Sequence, residues 1–231
     1  ITKDTTVTFT TSRPIKMVYT LDGTTPTPSS TIYTSPIKVS DNTIIKIATV
    51  LPSGKMSRIR TVNVEKQTYA PAIKIDGVKS GLQMSRVKGN FLKVDDLNWT
   101  DAEWEKSIIS NLEQIKIQRK DDGATLRGAN NYAAIAEGYI NIPEDGVYYL
   151  SSRLEQVWID NKLVVNNEGD VKASTMNDSS VALAKGLHPI KVVFLANIIG
   201  GWPSWWSSTA IEMRKDNEKE FTAVGGSQLF R

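Results

Sequence analysis

The chain has 231 residues, of which 40% are hydrophobic and 23% charged, and its formal net charge is +3. This is the composition of a globular protein that can bury a core in one or two domains. The charges are interspersed, which argues against a nucleic-acid partner, and no apolar run approaches the ~18–20 residues of a membrane span. Cysteine is absent and His188 is the single histidine, so disulfides, thiol catalysis and multi-histidine metal sites are excluded.

The first ~65 residues alternate between apolar and polar side chains as β-strands do. The alternation is clearest over 6–10, 15–20 and 44–50, and turn sequences such as Asp22-Gly23 and Ser53-Gly54 separate these runs. Short strands with such spacing predict a small β-sandwich. Since residues 1–10 already have a strand pattern, we expect the chain to be a segment of a longer protein.

A domain boundary is predicted where the composition changes after residue 66. The segment 66–72 contains Pro71, which stiffens the chain and cannot donate to a β-ladder. We therefore predict a first domain over 1–66, a linker over 67–75 and a second domain over 76–231.

The second domain has one helix-like pattern followed by strands. Thr100 and Glu103 match a capping box, and Trp104, Ile108 and Leu112 recur at helical spacing, which predicts a short helical insertion. The strands predicted after it are Tyr132–Asn141, Gly146–Ser151, Gln156–Asp160, Lys162–Val165, Val181–Lys185, Ile190–Ala196 and Ala210–Arg214. A tight hairpin through Asp160-Asn161 is predicted to join the third of these strands to the fourth. The fold class predicted for the whole chain is all-β, an immunoglobulin-like sandwich followed by a β-barrel or sandwich.

A motif in the first domain carries a family resemblance. Val18–Ser30 reads VYTLDGTTPTPSS, and Tyr33–Pro36 reads YTSP. Together they resemble the signature of the chitobiase/β-hexosaminidase C-terminal, immunoglobulin-like domain over about residues 1–66. Within it, Asp22-Gly23 is predicted to close a hairpin.

The second domain resembles the protective-antigen-type β-barrel found in glycosidases, adhesins and toxins. The segments that carry this resemblance are 136–140, 143–148, 157–164, 183–190 and 226–231. The two domains in this order resemble the region that follows the catalytic barrel in glycoside hydrolase family 20 enzymes. The resemblance implies an exported bacterial β-N-acetylhexosaminidase, periplasmic, cell-surface or extracellular, whose upstream catalytic domain would be this segment's partner.

One departure from the barrel family concerns its calcium site. Sugar-binding members carry Asp-Asp-Gly after a strand that corresponds to Tyr148–Ser152, whereas this chain has Ser152 and Arg153 in that region. Calcium needs several oxygen ligands, and an arginine adds positive charge instead. We therefore expect no cofactor and no metal site.

Catalytic arrangements are not predicted. Asp95-Asp96 and Asp121-Asp122 are adjacent pairs that read as solvated turns, because neighbouring residues on a strand point to opposite faces. His188 is interpreted as a hydrogen-bonded structural residue. We therefore expect this segment itself not to be an enzyme.

The strongest candidate for binding is the loop over 198–208, which holds Trp202, Trp205 and Trp206. Indole rings can stack on the C–H faces of sugars and donate a hydrogen bond, although packing within the protein and a protein interface are alternatives. With Asp160 and Asn161, these tryptophans form the predicted glycan site. Trp158, in contrast, is predicted to be a core residue, as is Trp104.

Two functions are compatible with these residues. In the first, the segment recognises carbohydrate, with glycans that contain N-acetylhexosamine as the expected partners. In the second, both domains brace the catalytic domain or mediate oligomerisation and bind no small molecule.

Overall fold

A computed structural model describes residues 1–98, 104–116, 132–168, 179–196, 198–199, 202–203 and 208–231. The chain divides into two compact units, Ile1–Thr68 and Tyr69–Arg231. Over the described residues the regular structure is strand, apart from short 3-10 turns at Val94–Asp96, Leu112–Ile115 and Gly226–Gln228. The predicted all-β class is confirmed.

The first unit is a small antiparallel sandwich. Its strands are β1 (Thr5–Val7), β2 (Lys16–Thr20), β3 (Thr31–Ile32), β4 (Ile37–Val39), β5 (Thr43–Val50) and β6 (Arg60–Val64). One sheet has the order β3-β2-β5-β6, and β1 pairs with β4 in the other. Ile37 and Val39 of β4 pack against Ile45 and Val64 of the larger sheet, so alternation along each strand places the apolar residues between the sheets.

The motif around Asp22 forms a local turn within a longer connection. β2 and β3 are joined by residues 21–30, so the prediction that Asp22-Gly23 closes a hairpin was wrong. Gly23 has a φ of 77°, and its N–H donates to Ile44 O at 3.1 Å. Thr24 donates from both its backbone N–H and its hydroxyl to Asp22 Oδ1, at 3.0 and 2.6 Å. The side chain thus closes the turn, and these bonds lower the pKa of Asp22.

The second unit contains the remaining strands. They are β7 (Leu82–Lys88), β8 (Glu105–Ile109), β9 (Tyr132–Ile142), β10 (Gly146–Ser152), β11 (Gln156–Ile159), β12 (Lys162–Asn166), β13 (Ser179–Leu183), β14 (Gly186–Ala196), β15 (Ile198–Ile199), β16 (Trp202–Pro203), β17 (Ile211–Lys215), β18 (Thr222–Ala223) and β19 (Leu229–Phe230).

Two antiparallel sheets enclose the core of this unit. The large sheet has the order β12-β11-β14-β9-β7-β8, with β19 paired to β9, and the small sheet has the order β13-β10-β17-β18. Phe194 and Ala134 of the large sheet share one buried cluster with Leu150 and Ile211 of the small sheet. The predicted sandwich or barrel pattern is therefore confirmed, and the large sheet has one face turned away from the core.

The predicted helical insertion is wrong where the structure describes it. Glu105–Ile109 is strand β8, paired antiparallel to β7, and only Leu112–Ile115 forms a single 3-10 turn. Burial along β8 follows period two, since Ile109 is buried while Ile108 is 48% exposed. Pairing with a neighbouring strand outweighed the local helical spacing. Thr100 and Glu103 lie outside the described residues.

Part of the outer face of the large sheet is covered by a second, smaller apolar cluster. Val94 and Leu97, from the segment after β7, pack on Ala133, Val193 and Leu195. Trp104, predicted as a core residue, is partly buried and packs against this cluster. Among the described residues no further cluster of this kind packs on the rest of the outer face, and the candidate site lies there.

The segment that begins the second unit pairs with it directly. Ala70 forms a bridge with Leu183 and Ile73 with Leu187, so these residues of the predicted linker are hydrogen-bonded to the larger fold. The exact domain boundary stays a prediction. Among the described residues, the chain has no helix of the length and apolarity that crossing a bilayer requires.

Candidate functional site

The outer face of the large sheet forms a concave surface of about 590 Å³, here called the outer-sheet cleft. This volume lies within the ~300–1,000 Å³ of small-molecule sites. Its aromatic and polar lining includes Gln83, Glu137, Tyr139, Trp158, Asn161 and Lys191. All but Asn161 lie on strands, so the sheet itself sets their spacing.

Strand register places a polar row across the middle of the cleft. Trp158 on β11 is directly opposite Lys191 on β14, and Lys191 is opposite Glu137 on β9. Glu137 in turn is opposite Gln83 on β7, whose partner on β8 is Ile108. Directly opposed side chains lie within contact distance of each other, so the row is continuous.

Trp158 lies on this surface, and the prediction that it is a core residue was wrong. Its strand neighbours Val157 and Ile159 are fully buried in the core, whereas Trp158 itself is half-buried and lines the cleft. Its indole N–H donates to Gln156 Oε1 at 3.0 Å, and Lys191 Nζ lies 5.0 Å from the centre of its ring. Strand alternation could have revealed this side chain, because the two neighbours of Trp158 are aliphatic.

Asp160 and Asn161 form the two-residue turn between β11 and β12, as predicted. Their φ angles are 49° and 61°, the left-handed pair that a tight hairpin requires and that Asp and Asn tolerate. Asn161 is exposed and lines the cleft. The carboxylate of Asp160 instead makes a structural contact within the protein.

That contact is with His188, which is fully buried. His188 Nδ1 lies 2.7 Å from Asp160 Oδ2, and its Nε2 lies 2.7 Å from Ala184 O. Because a carbonyl oxygen can only accept, Nε2 carries a proton. The interpretation of His188 as a hydrogen-bonded structural residue is confirmed.

The tryptophan loop is described only in part. Trp205 and Trp206 lie outside the described residues, and for Trp202 the structure gives the backbone, which forms β16 and pairs with β15. The predicted stacking role of these three residues stays a prediction.

The segment that follows the tryptophan loop is anchored to the 3-10 turn Leu112–Ile115, which comes after β8. Ser208 Oγ and the Thr209 N–H both donate to Glu113 Oε1 at 2.9 Å, and Lys116 forms an ion pair with the same carboxylate. Partial burial alone would raise the pKa of Glu113, but the hydrogen bonds from Lys116, Ser208 and Thr209 lower it overall. An ionised Glu113 therefore fixes the start of β17.

The loop at Ser152 and Arg153, where the barrel family's calcium site is expected to be missing, is held by the side-chain amide of Asn167. Asn167 Nδ2 donates to Ser152 O at 2.7 Å and to Leu154 O at 2.8 Å, while Ser152 Oγ donates to Ala210 O. Two backbone carbonyls of this loop are thus bound to a side-chain donor. Over the described residues there is no group of three or more His, Asp or Glu side chains placed to hold a metal ion.

The adjacent aspartates do not form a catalytic pair where they are described. Asp95 and Asp96 are exposed on a 3-10 turn, and Asp96 Oδ2 accepts the backbone N–H groups of Leu92 and Lys93, each at 3.1 Å. Their interpretation as solvated turn residues is confirmed. Asp121 and Asp122 lie outside the described residues.

The fold defines a two-unit, all-β protein, and each unit matches a known domain family. Residues 1–61 match the family described as chitobiase/beta-hexosaminidase C-terminal domain, and residues 111–219 match the PA14 domain. A beta-hexosaminidase from Porphyromonas gingivalis is 40% identical over 225 residues, which cover 97% of this chain and 29% of that protein. The chain is thus similar to the C-terminal accessory region of a hexosaminidase, and it spans under a third of this relative's length.

Solved structures show looser likeness. The PA14 domain of the antifreeze protein MpAFP is 12% identical, over 68% of this chain and 94% of its own, with a TM-score of 0.46. The epithelial adhesin 9 A domain from Candida glabrata, in complex with Galb1-3GlcNAc, is 13% identical over 69% of this chain and 92% of its own, with a TM-score of 0.45. An anti-sigma factor domain-containing protein from Clostridium clariflavum is 15% identical over 98% of this chain and 78% of its own, with a TM-score of 0.42.

Proposed function

We propose that this chain is the non-catalytic accessory region of an exported β-N-acetylhexosaminidase-like glycoside hydrolase, and that it contributes carbohydrate recognition. One observation carries the proposal: nearly the whole chain aligns at 40% identity with less than a third of a protein named beta-hexosaminidase. The hydrolytic reaction is assigned to the part of the parent protein that this chain does not include. Periplasmic or cell-surface export belongs to the same proposal.

The ligand proposed is a glycan that contains N-acetylhexosamine, since that is the sugar a hexosaminidase acts on. An accessory region that holds such a glycan would raise its concentration near the active site, as linked binding modules do. The surfaces that could contribute are the loop with Trp202, Trp205 and Trp206 and the hairpin tip with Asp160 and Asn161. Of these, Asn161 has direct structural support, because it lines the cleft.

A second role, bracing of the upstream catalytic domain, is favoured by the first unit. Ile44 and Leu21, which lie beside the Asp22 turn, are 46% and 43% exposed, and Ile32 is 51% exposed. Leu21 and Ile44 line one concave surface, and neighbouring exposed apolar side chains are typical of a surface that another protein covers. Recognition by the second unit and bracing by the first are compatible.

The test is a binding and turnover experiment on the purified 231-residue chain. Calorimetric titration with a panel of N-acetylglucosamine and N-acetylgalactosamine oligosaccharides should show saturable binding to at least one glycan. A chromogenic N-acetylhexosaminide should not be hydrolysed. Binding to no member of a broad panel would contradict the recognition role, and turnover would contradict the non-catalytic assignment.

A further inference from the structure

We propose that the outer-sheet cleft, centred on Trp158, binds an uncharged oligosaccharide. This inference rests on the proposed function and names the site and the chemical class of the ligand. It differs from the predicted tryptophan-loop site, because Trp158 lies on strand β11 rather than on a loop.

The aromatic side chain supplies the first part of the argument. The indole of Trp158 is oriented by two contacts, the hydrogen bond to Gln156 and the approach of Lys191 Nζ. An oriented, half-buried indole offers apolar surface without the entropy cost of ordering a free side chain. Tyr139, also half-buried, adds a second aromatic side chain to the same cleft.

The polar row suits hydroxyl groups, which both donate and accept. Lys191 can only donate, Glu137 can accept, and the Asn161 amide has both functions. Gln83 offers its carbonyl oxygen as an acceptor, because its Nε2 donates to Met84 O and Ser107 O. Since the row holds both donors and acceptors, neighbouring hydroxyls of one sugar can each find a partner. The row from Trp158 to Gln83 crosses three inter-strand spacings, about 14 Å, which provides room for more than one sugar ring.

The charges favour an uncharged ligand. Lys191 and Glu137 are opposite each other and of opposite sign, so together they add no net charge to the cleft. The third charged side chain of the lining, Arg231, keeps its positive charge but lies outside the row, and its guanidinium donates to Ser80 O. A strongly anionic or cationic ligand would meet one attractive and one repulsive group at the centre of the row.

The position of the row argues against an extended peptide. β11, β14 and β9 are each paired on both sides, so no free main-chain edge is available for strand addition. What the cleft offers is side chains on a rigid sheet, and this arrangement suits a small polar molecule with apolar faces.

The experiment compares variants of the full chain on a glycan to which the wild type binds. Trp158→Ala and the gentler Trp158→Leu should each weaken binding about tenfold or more, and Glu137→Gln several-fold. The matched control is Tyr149→Ala, because Tyr149 pairs with Arg214 at 4.2 Å on the small sheet and thus has the same aromatic–cation chemistry on the other face of the unit. That control should bind as the wild type does.

The outcomes separate the two proposals. Wild-type affinity in Trp158→Leu and Glu137→Gln, together with loss of binding when Trp202, Trp205 and Trp206 are replaced, would overturn the cleft as the site and leave carbohydrate recognition standing. A wild type that binds no glycan would overturn the recognition role itself. Glu137 is exposed, so Glu137→Gln should fold as the wild type does. This variant therefore still tests the cleft if the Trp158 variants fail to fold.

Discussion

The buried imidazole of His188 is joined to the surface turn by Asp160, with Nδ1 and Oδ2 2.7 Å apart. Its other nitrogen reaches Ala184 O on the connection between β13 and β14. The single histidine therefore connects two turns that are distant in sequence. Because Asn161 follows Asp160 directly, this contact also fixes the residue that the turn contributes to the outer-sheet cleft.

Replacing Asp160 by alanine should destabilise the second unit through the loss of this bond. His188 would keep a buried ring nitrogen without its partner, at a cost of about 1–3 kcal/mol. Asn161→Ala is the matched control, because its φ is also positive and alanine carries similar backbone strain there.

The measurement is urea unfolding followed by tryptophan fluorescence, which reports on the second unit because all six tryptophans follow residue 68. Asp160→Ala should have the lower free energy of unfolding of the two variants. Equal values would show that the contact with His188 contributes no stability.

Asn167 should be needed for the loop after β10. Asn167→Ala leaves two carbonyls, Ser152 O and Leu154 O, without the amide that binds them. We expect a loss of about 2 kcal/mol or more, since both groups lie in a buried region. Asn166→Ala, at an exposed neighbouring position, should cost clearly less in the same unfolding assay, and the reverse order would contradict this role.

Calcium should not stabilise the chain. A ligand that binds only the folded state raises the unfolding temperature, and the loop at Ser152 and Arg153 has its carbonyls bound to Asn167 rather than directed to an open cavity. Thermal unfolding in calcium and in chelator should therefore give the same Tm. A calcium-dependent rise in Tm would show that a metal site exists in this chain.

Strand pattern predicted much of the fold, because alternation is a local property of the sequence. The limits of β9, β10, β11, β12 and β17 agree with the predicted segments to within one residue, whereas β14 begins at Gly186 rather than at the predicted Ile190. Residues 105–109 were predicted as helix because Trp104, Ile108 and Leu112 recur at helical spacing, yet pairing with β7 determines their structure. Such pairing links residues about 25 positions apart, and no local pattern contains it.

The candidate site was harder to predict than the fold. The sequence predicted the turn at Asp160 and Asn161, because left-handed turns favour these residue types. It predicted Trp158 as a core residue, although the two aliphatic neighbours of Trp158 indicate by alternation that its side chain points to the opposite face. The row of Lys191, Glu137 and Gln83 arises from register across three strands, and register depends on the whole sheet.

Stability should fall in acid partly through Glu113. Its pKa is lowered in the folded state from an ordinary value of 4.5, so the ionised carboxylate stabilises the fold above that value, and the contribution is lost as the pH falls through the folded pKa. The side chain is largely exposed, so the effect should be below about 1 kcal/mol.

The pH test compares Glu113→Gln with Glu220→Gln, which alters an exposed glutamate. Between about pH 5 and pH 3 the free energy of unfolding should decrease less steeply in Glu113→Gln than in the wild type. Glu220→Gln should follow the wild-type curve. An unchanged slope in Glu113→Gln would show that the anchor on Ser208 and Thr209 does not depend on charge.

The most direct test of carbohydrate recognition uses the six indole N–H groups as separate probes. In a chain labelled with ¹⁵N-tryptophan, each indole gives one NMR signal, and single substitutions assign them. Titration with an N-acetylhexosamine oligosaccharide should shift the Trp158 signal saturably, with the same midpoint as the calorimetric binding. If all six signals stay in place across the glycan panel, the chain does not recognise carbohydrate through its tryptophans, and the proposal fails.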